Sequence, residues 1–162
     1  MALITLNNQS ISEITSAGLP TGTIIQNVST TSSSQYTTTS TSYQDATNYA
    51  VSLTPSSSSN KVYISYAIWG IVQDTNHHIV WSLKRTVGGV DTTLTSTSHG
   101  FSAFYSHNGN SEQGSCVCSF VDSPSTTSAV TYTPLFKSYD GSTVKLGAGS
   151  RTGSTVAFEI KG

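Results

Sequence analysis

From Lys61 to Trp69 the side chains alternate with period two. Val62, Ile64, Tyr66 and Ile68 share one face, and Tyr63, Ser65, Ala67 and Trp69 the other. Successive strand residues point to opposite sides, so this spacing selects an extended strand over a helix. Aromatics on both faces make it a central strand, either covered on both sides or with one face against another subunit. His78 to Thr86 alternates too, with Ile79, Trp81 and Leu83 on one face, and Gly88-Gly89 predicts a hairpin into Val90 to Thr95. Further short strands are expected at Thr23 to Val28, Ala50 to Thr54, Gly100 to Ser106, Ser115 to Asp122, Ala129 to Lys137, Thr143 to Leu146 and Ser154 to Lys161. Asp140-Gly141 reads as a second hairpin turn. In the last strand the pattern places Val156, Phe158 and Ile160 inward and Ala157, Glu159 and Lys161 outward. About ten short strands with no convincing helix predict an all-β, antiparallel, jelly-roll-like sandwich spanning residues 23–162.

The chain has 162 residues, enough for one domain with a core. Only 9% of them are charged, and about a third are Ser or Thr. That balance alone is compatible with disorder. Eight Tyr, five Phe and two Trp among many Val and Ile supply the strand-forming bulk for a folded core. The Ser/Thr-rich stretch Ser29 to Ser42 holds Tyr36 and Tyr43, and reads as an edge strand and loop. A net charge of −1 offers no basic stripe for nucleic acid. No apolar run reaches the roughly 20 residues that span a bilayer, and Met1 to Thr15 lacks the pattern of a secretory signal. Membrane insertion is therefore not expected. Cys116 and Cys118, two apart in a strand, point to the same face in poor geometry for a disulfide, and read as small buried hydrophobes.

No sequence pattern singles out a reaction centre. His77, His78, His99 and His107 lack metal-ligand spacing, and His77-His78 reads as a polar loop. No G-x-S-x-G elbow is present. Asp74, Asp91, Glu112, Asp122, Asp140 and Glu159 contain no pair marked out for glycan cleavage. Asp122 is expected to cap the loop that follows it. Glu159 is expected to be solvated, or paired with Lys84, Arg85 or Lys137. Neither an enzyme nor a bound cofactor is expected.

Two segments suggest contacts. Residues 1–22 carry Leu3, Ile4, Leu6, Ile11 and Ile14 among polar residues before the break Gly18-Leu19-Pro20-Thr21-Gly22. Apolar residues with no means of burying themselves alone suit an attachment segment; the other reading is a first edge strand. Phe101, Phe104, Tyr105 and His107, beside Asn108-Gly109-Asn110, combine ring faces with hydrogen-bonding groups. Tyr105, His107, Asn108 and Asn110 are therefore candidates for surface recognition. Alternatively Phe101 and Tyr105 are core, and only residues 108–110 are exposed.

Four stretches carry a resemblance. They are Ala2-Leu3-Ile4-Thr5-Leu6-Asn7-Asn8-Gln9-Ser10-Ile11 running to Gly18-Leu19-Pro20-Thr21-Gly22-Thr23, Leu53-Thr54-Pro55 to Asn60-Lys61-Val62, Asp122-Ser123-Pro124 to Thr131-Tyr132, and the ending Phe158-Glu159-Ile160-Lys161-Gly162. In order and over nearly the whole chain, these resemble virion structural and tail-fibre-like surface proteins of marine and cyanobacterial bacteriophages. The resemblance implies a homotrimer on the virion surface, made in the host cytoplasm. It would be anchored to capsid or tail proteins by Leu3, Ile4, Leu6, Ile11 and Ile14, with a host glycan or protein as a further partner. A tail fibre, appendage or knob for host attachment is the first expectation. A capsid decoration protein is the alternative, and a carbohydrate-binding module a more distant one.

Overall fold

A computed structural model describes residues 18–162, apart from residues 74, 75, 96, 108–110 and 148. The expected anchoring residues Leu3, Ile4, Leu6, Ile11 and Ile14 lie outside the described residues, as do Asn108 and Asn110. Along the chain run β1 (Ile24–Ser32), β2 (Tyr36–Thr38), β3 (Gln44–Asp45), β4 (Val51–Leu53), β5 (Lys61–Val72) and β6 (His78–Val87). β7 (Val90–Thr93), β8 (Ser102–Tyr105), β9 (Glu112–Asp122), β10 (Val130–Ser138), β11 (Val144–Leu146) and β12 (Gly153–Ile160) follow. Among the described residues there is no α-helix, and a 3-10 turn spans Thr47–Tyr49. No helix there is long and apolar enough to cross a membrane.

Every pairing is antiparallel. The first sheet sets β1, β12, β5 and β9 side by side, with β11 and β2 extending it beside the far end of β5. In the second sheet β10 and β6 are central, flanked by β3 and β4 on one side and β7 and β8 on the other. The chain crosses repeatedly between the two sheets, and this interleaved order makes the sandwich jelly-roll-like.

The core lies between the sheets. Val62, Ile64, Tyr66 and Ile68 of β5 meet Ile79, Trp81 and Leu83 of β6, all at most 5% exposed. Polar atoms of this layer are satisfied across it. The Tyr66 hydroxyl donates to Ser82 O at 2.8 Å, and Trp81 Nε1 donates to Val117 O at 2.7 Å. Arg85 of β6 reaches Asp122 of β9 at 2.9 and 3.1 Å, and the buried Tyr132 hydroxyl of β10 donates to the same carboxylate at 2.8 Å. Asp122 thus ties the sheets together and does not cap its own loop: the inward face of β9 aims it at a cation. Burial, and then the neighbouring Asp122 carboxylate, push the Tyr132 phenol up.

Cys116 and Cys118 are free and buried, as their parity implies. Burial pushes the Cys118 thiol up to about 12 and Cys116 higher still. Because the thiolate is the nucleophile, an aromatic disulfide reagent should modify native protein at least about a hundredfold more slowly than urea-unfolded protein. Rapid native labelling would contradict this burial.

Two further expectations are corrected. In β12 the inward residues are Thr155, Ala157 and Glu159, all 0% exposed, while Val156, Phe158 and Ile160 lie on the outer side. The outward positions of this strand carry its larger apolar side chains, so counting hydrophobic residues assigns the parity backwards. Glu159 is accordingly neither solvated nor paired with Lys84, Arg85 or Lys137. Its carboxylate accepts from Asn60 Nδ2 at 2.6 Å, Ser56 N at 2.7 Å, Ser56 Oγ at 2.9 Å and Gln26 Nε2. Burial pushes this carboxyl up, but the donors from Asn60, Gln26 and Ser56 together outweigh it and hold it below its ordinary value. The second correction concerns Asp140-Gly141. It forms no hairpin; β11 pairs with β2 and β5, so the turn carries the chain from one sheet to the other.

The stretch from Gly18 to Gly22 is fastened to the rim of the sandwich. Gly22 N donates to Lys161 O at 2.8 Å, and Lys161 Nζ donates to Leu19 O.

Candidate functional site

Two surfaces stand out, one at an end of the second sheet and one across the first. At the end, β6 begins with His78, β8 finishes with Tyr105 directly opposite it, and β10 delivers Tyr139 and Asp140 alongside. The four histidines, scattered in sequence, converge here. The His78 ring lies 4.4 Å from that of Tyr105, 5.3 Å from Tyr139 and 6.4 Å from His99. His99 stacks on Tyr139 at 4.7 Å, and His107 meets Tyr105 edge-on at 4.4 Å. The Tyr105 hydroxyl donates to Asn76 Oδ1 at 2.6 Å.

Asp140 is the carboxylate of this group. His77 Nδ1 and His78 Nδ1 approach its Oδ2 at 3.0 and 3.8 Å, as close neighbours and not as aligned hydrogen bonds. Burial pushes the Asp140 carboxyl up, yet His77 and the Ser142 hydroxyl and amide prevail and bring it down to about 2. The serine hydroxyls beside it, Ser142 and Ser138, donate to the carboxylate and not to an imidazole. Ser98 Oγ does lie 3.1 Å from His99 Nδ1, but Tyr139, not an acid, stacks on that ring. A nucleophile–base–acid relay needs the base oriented by the acid, and this arrangement does not supply it. Among the described residues no three or more His, Cys, Asp or Glu side chains are placed to hold a metal ion.

Of the recognition candidates, Tyr105 and His107 belong to this cluster. Phe101 and Phe104 instead pack inward, on Phe120 at 5.2 Å and Trp81 at 6.0 Å. Tyr105 is therefore not part of the core that holds Phe101. Sequence reasoning missed His78, His99, Tyr139 and Asp140 as companions. Only the pairing of β6 with β8 and β10 assembles them, and a single chain's text does not contain that register.

The second surface is the outer face of the first sheet. Three rows cross it: Val121, Tyr63, Phe158 and Asn27; Ser119, Ser65, Val156 and Ser29; Val117, Ala67, Ser154 and Thr31. None of these residues is charged. Val117 and Val121 are 53% and 52% exposed. The Tyr63 ring lies 6.2 Å from that of Phe158, and its hydroxyl donates to Ser119 Oγ at 3.2 Å. Beyond the rows, Trp69 carries the Arg151 guanidinium over its ring at 4.3 Å. Lys61, at the outward parity of β5, lies opposite Ile160 at one end of the rows, and on the opposite sheet Lys84 Nζ lies 2.5 Å from Asp45 and 3.0 Å from Asp91.

Fold and surface together define an all-β, jelly-roll-like sandwich with one open sheet face whose three central rows carry no charge. No protein-family model matches the chain, and no curated protein matches its sequence. Among solved structures, the VP2 subviral particle of infectious bursal disease virus aligns with the whole chain at 10% identity and a TM-score of 0.37. The infectious bursal disease virus Gx strain structure does so at 10% identity and a TM-score of 0.30. This chain covers 42% and 43% of those chains, respectively.

Proposed function

We propose that the protein is a non-enzymatic structural protein of a bacteriophage virion, displayed on the particle surface as a trimeric tail fibre, appendage or knob that contacts the host. The observation that carries this reading is the open face of the first sheet. Exposed valines beside Tyr63 and Phe158 on an open sheet face suit contact with a neighbouring molecule, and an assembled particle component has a use for such a face. The phage-like stretches of sequence agree with the role. The loop end bearing Tyr105 and His107 lies apart from that face and is left to meet a host glycan or protein. Residues 1–22 supply the link to other virion proteins.

Mass spectrometry of purified particles from a phage encoding the chain tests the reading. The protein should be present at low copy number, and light scattering of the isolated protein should give three times the chain mass. Absence from the particle would overturn the proposal. A copy number approaching that of the capsid subunit would move the protein to capsid decoration.

A further inference from the structure

We infer that the outer face of the first sheet docks onto a surface of a different protein, one that is apolar at its centre and acidic toward its two ends. The inference rests on the reading of the chain as a particle component and names the chemistry of its neighbour.

Charge placement comes first. The three rows are bounded at one end by Lys61, opposite Ile160, and at the other by Lys145, opposite Ile71. Val144 and Leu146 are buried, so alternation turns Lys145 outward with Ile71 and Trp69. The Arg151 guanidinium lies 4.3 Å over the Trp69 ring, whose Nε1 donates to Gln113 Oε1 at 3.2 Å. Lys61, Lys145 and Arg151 therefore stand on this side, and the described carboxylates stand elsewhere. Asp122 and Glu159 are buried on the inward faces of β9 and β12, and Glu112 has the inward parity of β9. Asp45 and Asp91 belong to the second sheet, and Asp140 to the histidine end. In a chain whose net charge is −1, this face holds cations without a described acid.

The segregated cations select the occupant. Along β5, Lys61 and Ile71 are separated by roughly 34 Å. Screening at physiological salt acts over about 8 Å, so each end needs its own countercharge. Between the ends lie Val121, Tyr63, Phe158, Val156 and Val117, which suit an apolar centre, and Trp and Arg are favoured anchors at protein interfaces. A second copy of the same face would set cation against cation. Other surfaces of a copy have few carboxylates to lend. Asp45 and Asp91 share Lys84, Asp122 holds Arg85, and Asp140 has His77 at 3.0 Å, which leaves Glu112 among the described residues. A sugar needs donors and acceptors turned toward it. Here the Tyr63 hydroxyl donates sideways to Ser119 Oγ at 3.2 Å, and Ser65 Oγ lies 3.4 Å from the same atom.

Zero-length carbodiimide coupling on intact particles of a phage encoding the chain tests this, because the reagent joins an ammonium only to a carboxylate in contact with it. The link from Lys84 to Asp45, 2.5 Å apart, is the internal control. Lys61 and Lys145 should each become joined to an Asp or Glu of another virion protein. The double variant Lys145→Glu/Arg151→Glu changes two positions that are not buried, so the purified chain should melt within a few degrees of the parent. Its amount per particle should fall roughly tenfold, because each end would then face like charge. Control links without any from Lys61 or Lys145 would overturn the inference, as would links ending on another copy of this chain. Undiminished incorporation of the folded double variant would do the same. Each of these results leaves the particle reading standing, whereas absence of the chain from the particles removes both.

Discussion

Glu159→Ala is expected to lower the unfolding free energy by about 3 kcal/mol, read as a shift in the urea midpoint at pH 7. The side chain is fully buried, and the groups that meet its carboxylate are neutral donors. It stands where β12 passes the Ser56–Asn60 turn, and its two oxygens collect donors from Asn60, Ser56 and Gln26. Removing the acceptor strands them. Each unsatisfied buried donor costs about 1–3 kcal/mol, and entering water recovers part of the sum. Glu159→Gln keeps the shape but turns an amide NH2 toward groups that also donate, so about 2 kcal/mol should be lost. A solvated glutamate would instead give a change within about 0.5 kcal/mol for either replacement.

Acid should reproduce the effect. Glu159 and Asp140 both titrate below their unfolded values of 4.5 and 3.8, with Asp140 near 2. A carboxyl with a depressed folded value contributes its full stability above the unfolded value and loses it as pH falls toward the folded one. The urea midpoint should therefore hold steady from about pH 6 down to pH 5 as far as these two groups are concerned, then decline between about pH 4.5 and 2. In Glu159→Gln that decline should be shallower.

Gly147→Ala is expected to cost about 4 kcal/mol or to prevent folding, as seen by loss of the cooperative melt. Gly147 follows β11 at φ +75°, where a Cβ would lie 2.0 Å from Ser34 O and 2.5 Å from the Tyr49 hydroxyl. The left-handed conformation alone costs an alanine about 1–2 kcal/mol. The remainder comes from the clash with a backbone carbonyl, which has no rotamer by which to withdraw. Gly147 N also donates to Trp69 O at 2.7 Å, which holds the loop against β5. Gly141 is the internal control. It has φ +92°, but its nearest neighbour, Thr39 O, is 4.0 Å from an added Cβ. Gly141→Ala should cost only about 1 kcal/mol.

Local alternation was enough to read the sandwich. The parity of β5 and the inward set Ile79, Trp81 and Leu83 hold as the text implies, because one face of each strand meets the core. The Gly88-Gly89 hairpin is likewise a local matter, with both residues at positive φ. Parity failed at β12, where the larger apolar side chains face outward and the decisive inward residue is a carboxylate sheltered by a turn about a hundred positions earlier. Tyr105 and His107 stand out in the sequence only as recognition candidates, with a core position for Tyr105 as the other reading. Their setting among His78, His99 and Tyr139 depends on strand register, which short serine-rich linkers leave unmarked.

The bond from the Trp81 indole to Val117 O bears on how copies can add to one another. β9 forms one flank of its sheet, and such a flank ordinarily offers bare peptide groups as a template for endless zippering. Here the second sheet reaches over and occupies a carbonyl midway along it. A strand approaching this flank is thereby discouraged from extending the sheet sideways.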